Sequence, residues 1–344
     1  MEVKKIKIKR LLFLLLISVL IFSPTSTRAA TDTDIKDSVY VVPGGEPFGI
    51  KMFSDGLMVT DIEGFNINGK KVCPAAEAGL QKNDIIYSAN GRILYSNNEL
   101  KSIIENSEGK SIKLKIKRDN EFSDVELKPV KDSNNTYKAG LWVKDSAAGL
   151  GTITFYCEES KAFCGLGHGI CDKDTKSLIP LSYGELDKAN ISSVTKSVCG
   201  NVGTLNGYFT DYVIGNAVCN HETGIYGHIK ESVANKNKVE IAEKNEVKKG
   251  KAEIYTTVNG DTPEKYEVEI TRINFNDSTI NLTVKITDER LMDKTGGIVQ
   301  GMSGSPIIQN GKLVGALTHV LVDNVDYGYG IFAQTMYEIM CETC

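Results

Sequence analysis

From Leu141 to Cys344 one short apolar or β-branched run follows another, each broken by Gly, Asn or Asp. Gly151-Thr-Ile-Thr-Phe-Tyr156, Ile254–Val258, Lys265–Ile273 and Ile280–Thr287 have the alternation or the branching of strands. Ala162–Ile170 is a further apolar β segment after a turn, and a helix is expected only near Gln334–Met340. About two hundred residues of this kind build barrels or a sandwich. The 32 glycines and single tryptophan fit many turns better than a helical bundle.

Within this β region stands Thr295-Gly-Gly-Ile-Val-Gln-Gly-Met-Ser-Gly-Ser-Pro-Ile-Ile308, whose centre is Gly301-Met302-Ser303-Gly304-Ser305-Pro306. A hydroxyl nucleophile needs an exposed Oγ with little backbone around it, and small residues flank Ser303. A tetrahedral intermediate needs two backbone N–H groups aimed at the developing oxyanion. A Gly two residues before the Ser can turn its N–H inward where a Cβ would hinder it, so Gly301 and Ser303 are the expected donors. A plain Gly/Ser turn between strands is the competing account. Ile307-Ile308, Asn310-Gly311 and Leu313–Leu317 then give a strand, a tight turn and a strand. The hexapeptide resembles the nucleophile segment of trypsin-like serine peptidases.

A serine hydroxyl needs a base, and the chain has 4 histidines. His168, flanked by glycines after an apolar segment, can reach into a cleft without crowding a substrate. His319, sixteen residues after Ser303 on the far side of a core-type strand, is the runner-up. His221 and His228 sit among polar residues and are expected at the surface. The base needs an acid to hold its tautomer. Asp288, at the end of a strand fifteen residues before Ser303, is the candidate, against the commoner role of a helix or turn cap.

The N-terminal third is organised differently. Lys4, Lys5, Lys7, Lys9 and Arg10 precede the apolar run Leu11–Phe22, which makes residues 1–30 a signal peptide or membrane anchor. Residues 31–130 are assigned to a tether and a compact unit, and 131–140 to a linker. Phe48-Gly49-Ile50, the Pro74–Leu80 turn and Asp84-Ile-Ile through Asn90-Gly91 resemble a PDZ domain of the type attached to bacterial extracytoplasmic proteases. Asn90-Gly91 is a hairpin signal, and Leu100, Ile103 and Ile104 mark one face of a helix. The resemblance implies that N–H groups near Phe48–Ile50 capture a peptide C-terminus, which adds a strand to the sheet edge.

Composition narrows the function. The net charge of −4 includes a leader with six positive charges and one negative, so the remainder carries about −9. An acidic body without a basic-aromatic patch is poor material for binding nucleic acid. The 8 cysteines are too sparse for a disulfide scaffold. Buried thiols or one or two bridges are expected. Cys164-x3-His168-x2-Cys171 and Cys341-x2-Cys344 have the spacing of zinc half-sites, but neither has a clear second half, so no metal and no cofactor are expected.

The succession Gly-His168-Gly-Ile, then Ile286-Thr-Asp288-Glu-Arg-Leu291, then Thr295–Ile308 is similar to the stage IV sporulation protein B peptidases of endospore-forming Firmicutes. Leu141–Thr152 and Gly311–Val320 carry the same likeness. It implies a mainly β fold, with a PDZ domain followed by a chymotrypsin-like double β-barrel serine peptidase at 141–344. It implies His168 as base, Asp288 as orienting acid and Ser303 as nucleophile. It further implies an enzyme exported to the forespore intermembrane space, which cleaves itself and a membrane-bound regulator and so triggers sigma-factor activation in the mother cell. The eight cysteines, the C-terminal Cys-x-x-Cys and the apparent loop Ser192–Asn237 depart from that pattern. The alternative is a catalytically inactive PDZ adaptor.

Overall fold

The computed structural model describes residues 38–233 and 236–344, so the expected leader and most of the tether lie outside the described residues. Twelve strands, numbered here in chain order, form two barrels. The first contains β1 (Pro47–Ile62), β2 (Leu141–Tyr156), β3 (Ala162–Gly165), β4 (Tyr183–Thr195), β5 (Thr204–His221) and β6 (Gly224–Ile229). Their neighbour order is β1-β2-β3-β6-β5-β4, and β4 pairs back onto β1 to close the ring. The second contains β7 (Gly250–Thr256), β8 (Glu264–Ile273), β9 (Leu282–Ile286), β10 (Pro306–Gln309), β11 (Lys312–Val320) and β12 (Tyr327–Phe332). It closes in the same order, β7-β8-β9-β12-β11-β10. The expected mainly β, chymotrypsin-like double barrel is therefore present.

Alternation along each strand sends one set of side chains inward. Phe48, Ile50, Met52, Ile153, Phe163, Leu186 and Ile225 fill the first barrel, and Tyr266, Val268, Ile270, Val284, Ile307 and Leu317 are among those filling the second. Outside the barrels, the C-terminal helix (Ala333–Thr343) buries Met336 and Met340 against Phe155 and Tyr226 of one barrel and Ile331 of the other. Ser192–Asn237, which looks like a loop in the sequence, is largely strand: it holds the end of β4 and all of β5 and β6.

The domain order differs from the sequence expectation. The peptidase does not begin at Leu141, because β1 already belongs to its first barrel. β1 and β2 pair antiparallel from Pro47↔Thr152 to Leu141↔Ile62, and the PDZ unit is inserted between them as the tip of one long hairpin. Its core is Leu57, Val59, Leu80, Ile86, Leu100, Leu114 and Ile116, with the far ends of both strands contributing. The helices α1 (Pro74–Glu77) and α2 (Asn97–Glu105) lie in the insert. Asn90 and Gly91 both have positive φ, 51° and 79°, as the two-residue turn after Ile85–Ala89 requires. The expected linker is mostly a small hairpin, Val130–Lys131 against Tyr137–Lys138.

Candidate active site

The nucleophile loop connects α3 (Glu289–Thr295) to β10 and is held by the opposite barrel. Thr152 N–H donates to Ser303 O at 3.1 Å, and Thr152 Oγ1 donates to Gly301 O at 2.8 Å. Thr154 Oγ1 donates to Gly304 O at 2.8 Å. Three carbonyls of the loop are thus drawn toward β2, while the N–H groups of Gly301 and Ser303 have no acceptor among the described residues. Two free donors beside a serine hydroxyl are what an oxyanion requires. Glycine at 304 is a steric necessity: its φ is +99°, and a Cβ there would stand 2.0 Å from Thr152 O.

The base side is built by the turn after β3. Leu166 and Gly167 both take positive φ, 67° and 68°, which turns the chain away from the barrel and sets His168 at a cavity of about 420 Å³. Ser303, Gly301, Thr318 and His319 line the same cavity. His168 Nδ1 lies 2.9 Å from Gly169 O. A carbonyl only accepts, so Nδ1 carries the proton and Nε2 keeps its lone pair, the tautomer of a general base. Burial pulls the His168 pKa below the ordinary histidine value, against the Gly169 bond. The His319 ring lies 4.5 Å from it, centre to centre. Burial, reinforced by the charge His168 would carry, pushes His319 down to about 4. Ser303 Oγ donates to Thr318 O rather than to either imidazole.

Asp288 is not brought to this cavity. It is the N-cap of α3: Oδ1 accepts Arg290 N–H at 2.9 Å, Oδ2 accepts Glu267 N–H at 3.1 Å, and the Arg290 guanidinium closes on both oxygens. The Arg290 bond, above all, holds its carboxyl at about 2. The orienting contact on His168 Nδ1 comes instead from Gly169 O, a partner that no sequence pattern announces. His221 bonds Thr223 Oγ1 at 2.9 Å at the end of β5, and His228 lies within β6; both are part-buried strand residues rather than loop residues. All eight cysteines are free thiols, and no metal-holding cluster is found among the described residues. Cys164 is buried whereas Cys171 is exposed.

The assignment of peptide capture to Phe48, Gly49 and Ile50 is overturned. Phe48 is fully buried and meets Phe163 edge to face at 6.1 Å inside the first barrel. Gly49 is paired on both sides, to Leu150 and Asp187, so it has no free edge to offer. The PDZ groove of about 660 Å³ lies elsewhere, between α2 and the start of β2. Leu100 and Ile104 form one wall, and Ala139-Gly140-Leu141 with Val143 form the other. The sequence signal was present: Ala-Gly-Leu opening a strand repeats the small-and-apolar pattern of Phe-Gly-Ile, and only strand pairing distinguishes the two.

Two six-stranded barrels of one topology, with a serine of the second and a histidine of the first lining one cavity, are the architecture of a serine peptidase. The chain belongs to the SpoIVB peptidase S55 family, whose model matches residues 135–337, and a PDZ-domain model matches residues 68–118. Similar solved structures include the PDZ domain of an SdrC-like protein from Listeria monocytogenes, at 22% identity over 26% of this chain and 87% of that one, TM-score 0.22. The active form of the Rv3671c protease from M. tuberculosis matches at 13% identity over 57% and 74%, TM-score 0.32. The HtrA-type protease AlgW with a tripeptide matches at 12% over 57% and 56%, TM-score 0.34.

Proposed function

We propose that the chain is a serine endopeptidase of sporulation signalling in which Ser303 and His168 act as a dyad and Gly169 O takes the place of the triad acid. One observation carries this reading: Ser303, His168 and two unengaged N–H groups share one cavity. Ser303 Oγ rotates from Thr318 O to His168 Nε2, gives up its proton and bonds to the scissile carbonyl carbon. The carbonyl π electrons move onto oxygen, where the N–H groups of Gly301 and Ser303 receive the charge. Collapse breaks the C–N bond as His168 returns the proton to the leaving amine, and water repeats the sequence on the acyl-enzyme. The resting bond to Thr318 O makes the hydroxyl idle until a substrate displaces it. Self-cleavage and cleavage of a membrane-bound regulator, leading to sigma-factor activation, are part of this proposal and are supported by the likeness of Gly-His168-Gly-Ile, Ile286–Leu291 and Thr295–Ile308 to the sporulation peptidases. Export and attachment through the leader are proposed with them, on the basic run Lys4–Arg10 and the apolar run Leu11–Phe22.

The test is to incubate the full chain and its Ser303→Ala variant with a fluorophosphonate probe and to map new N-termini by mass spectrometry. Labelling and self-derived N-termini in the wild type alone are expected. Equal labelling and identical termini in both would replace the enzyme with the adaptor.

A further inference from the structure

β2 serves two sites with one edge. Its first residues, Leu141, Trp142 and Val143, line the PDZ groove, and Ala147, Ala148, Gly149 and Leu150 line the catalytic cavity. One side of the strand pairs with β1 over Leu141–Lys144 and again over Ser146–Thr152, with register breaks at Trp142/Val143 and around Asp145. On the other side β3 joins only from Ile153 onward, so residues 141–151 have no strand partner there among the described residues. Thr152, at the far end, shows which way that side points: its N–H reaches Ser303 O and its carbonyl accepts from Leu166 N. An open edge of this length is a template for another chain, and it runs from the PDZ groove to the nucleophile without leaving the strand.

We infer that this edge is a ruler: it binds the extended C-terminal tail of a protein substrate and sets how far from the free C-terminus the chain is cut. The inference rests on the peptidase reading and adds the substrate class. A peptide with its carboxylate at Ala139-Gly140-Leu141 and its last side chain between Leu100 and Ile104 adds antiparallel to β2. Its upstream residues then travel toward Leu150. Nine residue steps separate Leu141 from Leu150, roughly 30 Å at the rise of about 3.3 Å per strand residue. The bond brought to Ser303 is therefore the one about eight to ten residues before the C-terminus. The occupant is a free tail whose carboxylate sits at Gly140, where the Gly140 carbonyl is taken up by Glu63 N–H at 3.0 Å and so does not oppose the negative charge. It also has to be extended, because only an extended backbone pairs with an edge. The last side chain has to be apolar, since Leu100, Ile104, Leu141 and Val143 surround it.

The experiment uses synthetic peptides of about twenty degenerate residues, N-acetylated and ending in a fixed leucine, made both as free acids and as C-terminal amides. They are digested by the full chain and by Ser303→Ala, and the cut positions are counted from the C-terminus by mass spectrometry. Wild-type cuts are expected to cluster at eight to ten residues in the free acids, and amidation should lower that cluster at least tenfold. Cuts spread evenly, or clustered alike in acids and amides, would overturn the ruler and leave the peptidase standing. Equal digestion by wild type and Ser303→Ala would overturn the peptidase and the ruler with it.

Discussion

Replacing Asp288 separates a structural carboxylate from a catalytic one. In Asp288→Ala the cap on Arg290 N–H is lost, which costs about 1 kcal/mol. Glu267 N–H loses its acceptor, worth about 1–3 kcal/mol for a part-buried donor. The ion pair to the well-exposed Arg290 is screened by solvent and adds little. A loss of about 2–4 kcal/mol in folding stability is expected. The carboxyl at about 2 against an ordinary value near 3.9, a shift these same bonds produce, corresponds to about 2 kcal/mol, on the same order. Because the folded carboxyl is the stronger acid, this stability is present above pH ~4 and is lost as pH falls toward 2. Asp288→Asn keeps an oxygen for the cap and should lose about half as much. Urea unfolding at pH 7 measures both, and kcat is read on the variants under folded conditions. The expected result is a stability loss with kcat within about threefold of wild type. If Asp288→Asn were as stable as wild type and yet lost about 10⁴ in kcat, as removal of a triad acid does, Asp288 would be the orienting acid and the Gly169 account would be wrong.

Four further outcomes follow from the same geometry. His168→Ala should lose about 10³-fold or more in kcat, as Ser303→Ala should, whereas His319→Ala should lose less than tenfold; the reverse order in a steady-state assay would make His319 the base. Burial keeps His168 neutral, so the acidic limb of the kcat/KM profile should lie below pH 6.5, and a limb above that value would contradict the desolvated cavity. Gly304→Ala should lower the unfolding free energy by more than about 3 kcal/mol, because backbone rather than a flexible side chain meets the new Cβ. Thr152→Val removes the Oγ1 bond to Gly301 O without changing shape; a stability loss of about 1 kcal/mol and a fall in kcat with KM little changed are expected.

How far the site is legible in the sequence depends on how local each constraint is. The nucleophile loop was legible because its demands are short-range: positive φ at Gly301 and Gly304, and small residues around Ser303. The Asn90-Gly91 turn and the face of α2 were legible for the same reason. Phe48-Gly49-Ile50 was not, because what decides its role is pairing with Leu150 and Asp187, about a hundred residues or more away, and alternation gives a strand's faces but not its partner. Asp288 was ambiguous at source, since a carboxylate opening a helix and one orienting an imidazole look alike until Arg290 and Glu267 are placed. Gly169 O left no trace at all, because every residue has a carbonyl.

The hairpin that carries the PDZ unit also dictates an order of events in folding. Ile62 and Leu141 are paired at the far ends of β1 and β2 yet separated by the whole insert. Pairing them across a disordered chain of that length carries a closure entropy that grows with its logarithm, and long-range pairing of this kind is slow. Once the insert has collapsed onto Leu57, Ile86 and Leu114, its two ends stand side by side and the penalty is that of a short turn. Closing the enzyme's ring therefore costs less once the insert has folded, and with it come the Thr152 and Thr154 bonds that hold the loop around Ser303.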